Sequence, residues 1–217
     1  MIGQISKELK RHIPFTSFGA LTGILIIIVS LRMPKNISYN IFYVLHPIHV
    51  VLSALVTASI YKLHTCGHID KKCIKGQCNL WVLFLIGYIG SIGIATISDS
   101  IIPFLGETLL NMPHREIHLG FIEKWWLVNP LAITGVLFAY FKPTTKVPHA
   151  GHVLLSTWSS LFHILMAVGV SMSWFSYIAV FLFLFLAVWL PCCLSDIVFP
   201  LLFVKDRESK RYQPGHP

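Results

Sequence analysis

The chain has 217 residues, of which 55% are hydrophobic and only 12% are charged, and its mean hydropathy is +0.70. Such a composition is far more apolar than that of an average soluble domain, so it excludes a water-soluble globular protein and predicts an integral membrane protein. The net charge of +8 comes from basic residues dispersed over short loops, which excludes a basic nucleic-acid-binding face.

Six apolar segments predict an all-α membrane protein with six transmembrane helices. A bilayer core of roughly 30 Å requires about 20 apolar helical residues per crossing. The predicted spans cover residues 15–32, 41–61, 80–104, 126–141, 151–172 and 174–204. Pro191 lies inside the last and longest span, which predicts a tilted or broken helix there.

The basic residues predict how the chain is oriented in the bilayer. Of the 17 lysines and arginines, four (Arg32, Lys35, Arg115 and Lys124) fall on one predicted side, and the rest fall on the other. Because basic residues concentrate in cytoplasmic loops, we expect a protein of the plasma membrane with both termini in the cytoplasm.

The loop after the second predicted span contains Cys66, Cys73 and Cys78. This topology places the loop in the reducing cytosol, where a disulfide framework is not expected. Two interpretations remain open, a loop that receives metal and a set of reduced, unpaired thiols.

Three short motifs recur in the second half of the chain, in the same order. ALTGIL at 20–25 matches AITGVL at 132–137, HPIHVVLS at 46–53 matches HAGHVLLS at 149–156, and SDSIIP at 98–103 matches SDIVFP at 195–200. We interpret them as the duplication of a three-helix unit. Since three is odd, the second copy enters the membrane with inverted polarity, as in many secondary transporters. The predicted repeats are residues 1–110 and 126–217, and 111–125 form an extracytoplasmic linker.

The repeated motifs place two histidines and one aspartate in each half. Histidines three residues apart share a helix face, and both aspartates lie inside predicted spans, where an unpaired charge costs on the order of 3 kcal/mol or more. Imidazole and carboxylate groups are ligands for divalent transition metals. We therefore expect an outer half-site of His46, His49 and Asp99 and a cytosolic half-site of His149, His152 and Asp196.

These observations predict a transporter or channel for a divalent transition metal ion, with zinc or iron as the first candidates, and not an enzyme. The expected partners are the lipid bilayer and the ion itself, without nucleic acid. The separation or convergence of the two half-sites, the direction of transport, its energy source and the formation of homo-oligomers are left open. A weaker motif, PHREIH, places His114 and His118 around Glu116 in the outer linker, either to collect metal or as an interfacial segment.

Two alternatives use the same side chains differently. In a di-haem b-type cytochrome of electron transfer, His49 would pair with His163 and His64 with His149 as axial ligands of haem b. That interpretation leaves both aspartates unexplained. In a membrane-embedded metal-dependent hydrolase, the histidines and aspartates would bind zinc and activate water. Two equivalent sites at opposite faces would then serve no purpose.

Overall fold

The computed structural model describes residues 2–65, 68–69, 72–73, 79–169, 172–193 and 199–203. Side chains are described for these residues except 2–9, 11–12, 68–69, 72–73, 146–149, 193 and 201. Regular structure in the described part is helical apart from one antiparallel pairing, in which β1 (His68–Ile69) lies beside β2 (Lys72–Cys73).

The helices follow one another with short connections. They are α1 (Ile2–Ser30), α2 (Lys35–Thr65), α3 (Leu80–Thr96), a π-helical segment (Ile97–Ile101), α4 (Ile102–Leu109), α5 (Gly120–Glu123), α6 (Trp125–Phe141), α7 (Lys146–Ala167), α8 (Trp174–Cys193) and α9 (Phe199–Leu202).

Four helical stretches are long and apolar enough to cross a membrane, which is consistent with a helical membrane protein. They are Ile13–Ser30, Lys35–Thr65, Leu80–Leu109 and Trp174–Cys192. α6 is apolar but shorter, and α7 is not among the four. The buried face of α7 is rich in serine and histidine, which lowers the hydropathy of this helix.

α2 and α7 form the centre of the bundle and run antiparallel. The ring of His49 in α2 stacks on His152 near the start of α7, with centroids 5.6 Å apart. Phe42, earlier in α2, contacts His163, later in α7, at 5.5 Å between centroids. α3 and α6 pack against α2, whereas α1 and α8 pack against α7.

α1 runs parallel to α7 and approaches it closely. Gly19 meets Thr157, and Gly23, one turn later, meets Leu161. A Cβ at Gly19 would lie 2.9 Å from the Thr157 hydroxyl oxygen, so the contact depends on a small residue.

α6 runs parallel to α2 in the same manner. Gly135 packs on Ala54, whose Cβ would lie 2.8 Å from a Cβ at this glycine. Farther along both helices, the backbone N–H of Thr144, just after α6, donates to the Ser59 hydroxyl at 3.1 Å. Because α2 and α7 are antiparallel, α1 and α6 point in opposite directions.

Alternate connections meet at the same end of the bundle. The turn after α1 and the loop after α4 join where Lys35 Nζ lies 2.6 Å from Glu116 Oε2. The connection after α7 joins them, since the N–H of His114 donates to the carbonyl of Ala167. The connection after α6 lies at the opposite end, beside Ser59.

The apolar core has two lobes, one on each side of the central pair. The first lies between α1, α2, α7 and α8 and includes Ala20, Ile27, Phe42, Leu161 and Leu184. The second lies between α2, α3 and α6 and includes Ala54, Ala58, Leu83, Val136 and Ala139. The polar side chains described next lie between these two lobes.

Candidate metal centre

Asp99 is fully buried, and both of its carboxylate oxygens are hydrogen-bonded. Oδ2 lies 2.9 Å from Nδ1 of His46 and 2.8 Å from Nδ1 of His49. Oδ1 accepts the hydroxyl hydrogens of Ser98, at 2.7 Å, and Ser156, at 2.8 Å. The carboxylate thus has four donors from three elements, which nearly fills its hydrogen-bonding capacity.

The π-helical segment brings Asp99 to the centre of the bundle. Its wide turn buries the consecutive residues Ser98, Asp99 and Ser100 together. Pro103 has no N–H, so it cannot bond to the Ser98 carbonyl five residues earlier. The hydroxyl of Ser160 in α7 lies 2.9 Å from that carbonyl and 2.8 Å from the carbonyl of Ser156, so the two carbonyls share its single hydrogen. Single π-helical turns of this kind are frequent at functional sites.

His46 and His49 approach Asp99 with the same ring nitrogen. Because an ionised carboxylate only accepts hydrogen bonds, each imidazole donates its Nδ1–H and keeps Nε2 as the unprotonated nitrogen. Nε2 of His49 is buried and has no hydrogen-bond partner among the described residues. Histidines that bind metals usually donate the other ring N–H to a carboxylate or carbonyl in this way.

His49 also belongs to a second buried group, with His152 and Cys192. One ligand atom of each residue lies within 4.8 Å of those of the other two, and the same holds for His46, His49 and Asp99. All of these side chains are buried. Two imidazoles and a thiolate form a donor set that zinc and related transition metals accept.

The described histidines of the two predicted half-sites meet inside the bundle. The sequence predicts His49 toward the outer face and His152 toward the cytosol and leaves open whether the half-sites converge; in the structure the two rings stack with planes inclined by 24°. The reason is that α2 and α7 cross at these two residues. The structure therefore brings His46, His49 and Asp99 together, as predicted, and joins His152 to them. The side chain of His149 and the whole of Asp196 lie outside the described residues.

A second polar cluster lies closer to the end of the bundle that holds the α1–α2 turn. Nδ1 of His163 is 2.7 Å from Oε1 of Glu107, and both side chains are fully buried. The backbone N–H of His118 donates to Nε2 of His163 at 3.4 Å. Nδ1 of His118 is 3.3 Å from Oε2 of Glu123, which also accepts the hydroxyl of Tyr43 at 2.6 Å.

The two histidines of the PHREIH motif have different surroundings. His118 is buried, whereas His114 is exposed. Between them, Glu116 forms an exposed ion pair with Lys35. The hydrogen bond from Lys35, together with its positive charge, lowers the pKa of Glu116 below its ordinary value. The motif thus fastens the linker to the start of α2 and directs one histidine inward.

The four histidines of the haem alternative are distributed through the bundle. His64 is exposed, and the side chain of His149 lies outside the described residues. His49 and His163 are buried. The ring of Phe42 packs edge-on against His163, so a protein side chain lies beside the imidazole that the haem alternative assigns as an axial ligand. The haem alternative stays a prediction, as does the hydrolase.

Several residues of these clusters, among them Glu107, Ser156 and Cys192, did not emerge from the sequence as site residues. Glu107 lies beyond the predicted third span, which ends at residue 104, but the helix continues to Leu109 and buries it. Its position eight residues after Asp99, on the same helical stripe, was the available signal. Ser156 belongs to the repeated HAGHVLLS motif, of which only the histidines are predicted ligands. No sequence pattern distinguishes Cys192 from the other cysteines.

No protein-family model matches the chain, and neither a curated protein nor a solved structure gives a significant match to it.

Proposed function

We propose that this protein carries a divalent transition metal ion across a membrane and that His49, His152 and Cys192 bind the ion on its way. The supporting observation is the mutual approach of their ligand atoms to within 4.8 Å inside a bundle of membrane-length helices. Three protein ligands leave at least one coordination position open, which suits an ion that must exchange ligands as it enters and leaves.

In this proposal Asp99 orients ligands and does not bind the ion. Its oxygens already accept four hydrogen bonds, two of them from His46 and His49. The hydrogen bond to His49 fixes the tautomer that directs Nε2 away from the carboxylate. Carboxylates in this role typically contribute 10–100-fold to metal affinity.

The charges of the described residues also favour a divalent ion. Asp99 contributes one negative charge, and Cys192 contributes a second when it binds metal as a thiolate. A divalent cation between them gives a neutral centre. Neutrality matters because an uncompensated charge within a membrane-spanning helix is costly.

The pattern of helix contacts supports the predicted inverted repeat and its six spans. If α1, α2 and α3 correspond to α6, α7 and α8, the contacts fall into matching pairs. The contact of α1 with α7 corresponds to that of α6 with α2, α1 with α8 to α6 with α3, and α2 with α3 to α7 with α8. The opposite directions of α1 and α6 agree with inverted polarity.

The same correspondence locates the proposed ion site on the symmetry axis. His49 and His152 occupy equivalent positions of the repeated HPIHVVLS and HAGHVLLS motifs. In this proposal the pseudo-twofold axis passes between these two residues, which is supported by the stacking of their rings. We therefore propose one shared central site in place of two separate half-sites. Rocking one repeat against the other would open it to either side in turn.

Cobalt(II) binding to the purified protein tests the site directly. In a background where the other four cysteines are replaced by serine, Co²⁺ coordinated by the Cys192 thiolate has a ligand-to-metal charge-transfer band. Cys192→Ser should abolish this band, and Asp99→Asn should weaken it through a 10–100-fold loss of affinity. The exposed His64→Gln is the matched control and should bind as the wild type does. An unchanged band in Cys192→Ser would contradict the proposal.

Transport and haem content separate this function from the alternatives. Proteoliposomes should take up Co²⁺ or Zn²⁺ in a manner that depends on both His49 and His152, because each repeat contributes one ligand. A hydrolase should depend mainly on one half. A Soret band that disappears in His64→Gln would instead establish the cytochrome.

A further inference from the structure

The buried pair of Glu107 and His163 has a defined hydrogen-bonding state. A backbone N–H is always a donor, so Nε2 of His163 must accept the hydrogen bond from His118. The ring hydrogen therefore lies on Nδ1 and points to Oε1 of Glu107 at 2.7 Å. Oε2 of Glu107 is buried and has no hydrogen-bond partner among the described residues.

We propose that Glu107 and His163 form the proton-binding site of the transport cycle, so that the metal carrier is coupled to proton movement. This inference rests on the proposed function. With a neutral imidazole, an ionised Glu107 leaves one negative charge without a cationic partner inside a membrane-length helix. One proton added to Oε2 forms a carboxylic acid and neutralises the pair, which then holds two protons instead of one.

A route for protons leads from this pair to one aqueous end of the bundle. His118, whose N–H contacts His163, also lies 3.3 Å from Oε2 of Glu123. Glu123 has a side chain that is 33% exposed, and Nε2 of His118 is 3.9 Å from the exposed carboxylate of Glu116. Because a backbone N–H does not relay protons, the last transfer passes between the rings of His118 and His163, whose centroids lie 5.4 Å apart, once Nε2 of His163 releases the N–H of His118. Water at the carboxylates of Glu123 and Glu116 is the source of the proton.

The proton site is separate from the proposed metal site. The ring of Phe42 stacks on His46 at 5.2 Å, on the metal side, and contacts His163 at 5.5 Å, on the other. An apolar ring cannot relay a proton, so the two sites communicate through helix movement. Neither Glu107 nor His163 contacts a proposed metal ligand in any described interaction.

Among the titratable side chains on the elements that pack against α4, His163 is the hydrogen-bond partner of Glu107. Besides His163, the described titratable side chains of these elements are His152 on α7, Tyr177 and Cys192 on α8 and Asp99 in the π-helical segment. Asp99 already has four donors, and His152 and Cys192 belong to the metal group. A metal ion is a poor occupant of the pair itself, because Nε2 of His163 is engaged by a backbone N–H.

Proteoliposomes that contain a trapped pH dye and a clamped membrane potential test the proposal. A Co²⁺ gradient should drive proton movement in the wild type that continues over many turnovers. Glu107→Gln should abolish this proton movement and make Co²⁺ entry insensitive to a pH gradient, while its Co²⁺ charge-transfer band stays unchanged. Glu107→Asp should restore coupling in part, and the exposed His64→Gln, which lies outside both the proton route and the metal site, is the control with coupling retained.

Two outcomes overturn the inference and leave the metal carrier intact. One is Co²⁺ entry without proton movement in the wild type, and the other is an unchanged proton-to-metal ratio in Glu107→Gln. An infrared pH titration gives a readout that does not depend on metal. The difference between the wild-type and Glu107→Gln spectra should contain one additional carboxylic acid band as the pH falls, and the absence of this difference band would also overturn the inference. Failure of the metal site itself would appear separately, as loss of Co²⁺ binding in the wild type.

Discussion

Because Gly120 has no side chain, the linker can approach His46 closely. Gly120 begins α5, and a Cβ at this position would lie 2.6 Å from both Cδ2 and Nε2 of the His46 ring. The His46 ring cannot move away easily, because it is stacked on Phe42 and hydrogen-bonded to Asp99. The glycine therefore allows the linker to close over the buried imidazole.

Gly120→Ala should consequently destabilise the protein. Overpacking of a filled interior costs roughly 1–3 kcal/mol, and displacement of His46 should also reduce Co²⁺ affinity. Thermal unfolding in detergent and Co²⁺ titration measure the two effects. Gly93→Ala is the control, because a Cβ there meets nothing within 4 Å. Equal stability of the two variants would show that the ring adjusts without cost.

The sequence predicted part of the site, and the missing part consists of contacts between distant elements. A local motif identified His46 and His49, and the hydrophobic setting of Asp99 identified the carboxylate. No local pattern indicates that Ser156 donates to Asp99 or that Cys192 lies within ligand distance of His49. Such contacts depend on how α2, α7 and α8 cross, and helix crossing is set by packing over the whole bundle.

At the level of elements, the π-helical segment depends on a hydrogen bond from another helix. Pro103 leaves the carbonyl of Ser98 without a helical donor, and Ser160 of α7 supplies one at 2.9 Å. The bond also ties α7 to the segment that carries Asp99. A proline shows from the sequence alone that one helical N–H is missing, but no local pattern identifies the donor that pairs with the Ser98 carbonyl.

A double-mutant cycle tests this dependence. Ser160→Ala should destabilise the protein by about 1 kcal/mol, because it leaves a buried carbonyl unpaired. In a Pro103→Ala background the new N–H can bond to Ser98, so the same substitution should cost less. Ser159→Ala is the matched control, since the Ser159 hydroxyl is buried without a hydrogen-bond partner among the described residues. Equal costs of Ser160→Ala in both backgrounds would contradict the role of the proline.

Hydropathy predicted the helices better than it predicted their ends or their positions in the bundle. The first, second, third and last predicted spans overlap helical stretches of membrane length. The third ends later than predicted, because Glu107 looks like a loop residue until His163 is known to face it. In α7, hydropathy misleads about position: the polar residues of this helix face the bundle interior, so a central helix has a lower hydropathy than a peripheral one.

At the scale of the whole molecule, the two ends of the bundle differ in the connections they carry. Lys35 and Glu116 join the turn after α1 to the linker, and His114 joins the linker to the connection after α7. The connection after α6 lies at the other end, beside Ser59. In a six-span topology these ends face opposite sides of the membrane, and the basic residues predict that the end with the linker faces outward.

Single-cysteine labelling in intact cells tests this arrangement, in a background where all five native cysteines are replaced by serine. Arg115→Cys and Ser173→Cys should react with a membrane-impermeant maleimide added outside, because both exposed positions belong to the linker end. Lys142→Cys, exposed at the other end, should react only after permeabilisation. A permeant maleimide, which should label all three, controls for expression. Labelling of Lys142→Cys together with Arg115→Cys from outside would contradict the six-span topology. Reversed labelling of all three would retain the inverted repeat and overturn only the orientation, because the contacts within the bundle are independent of which end faces the cytosol.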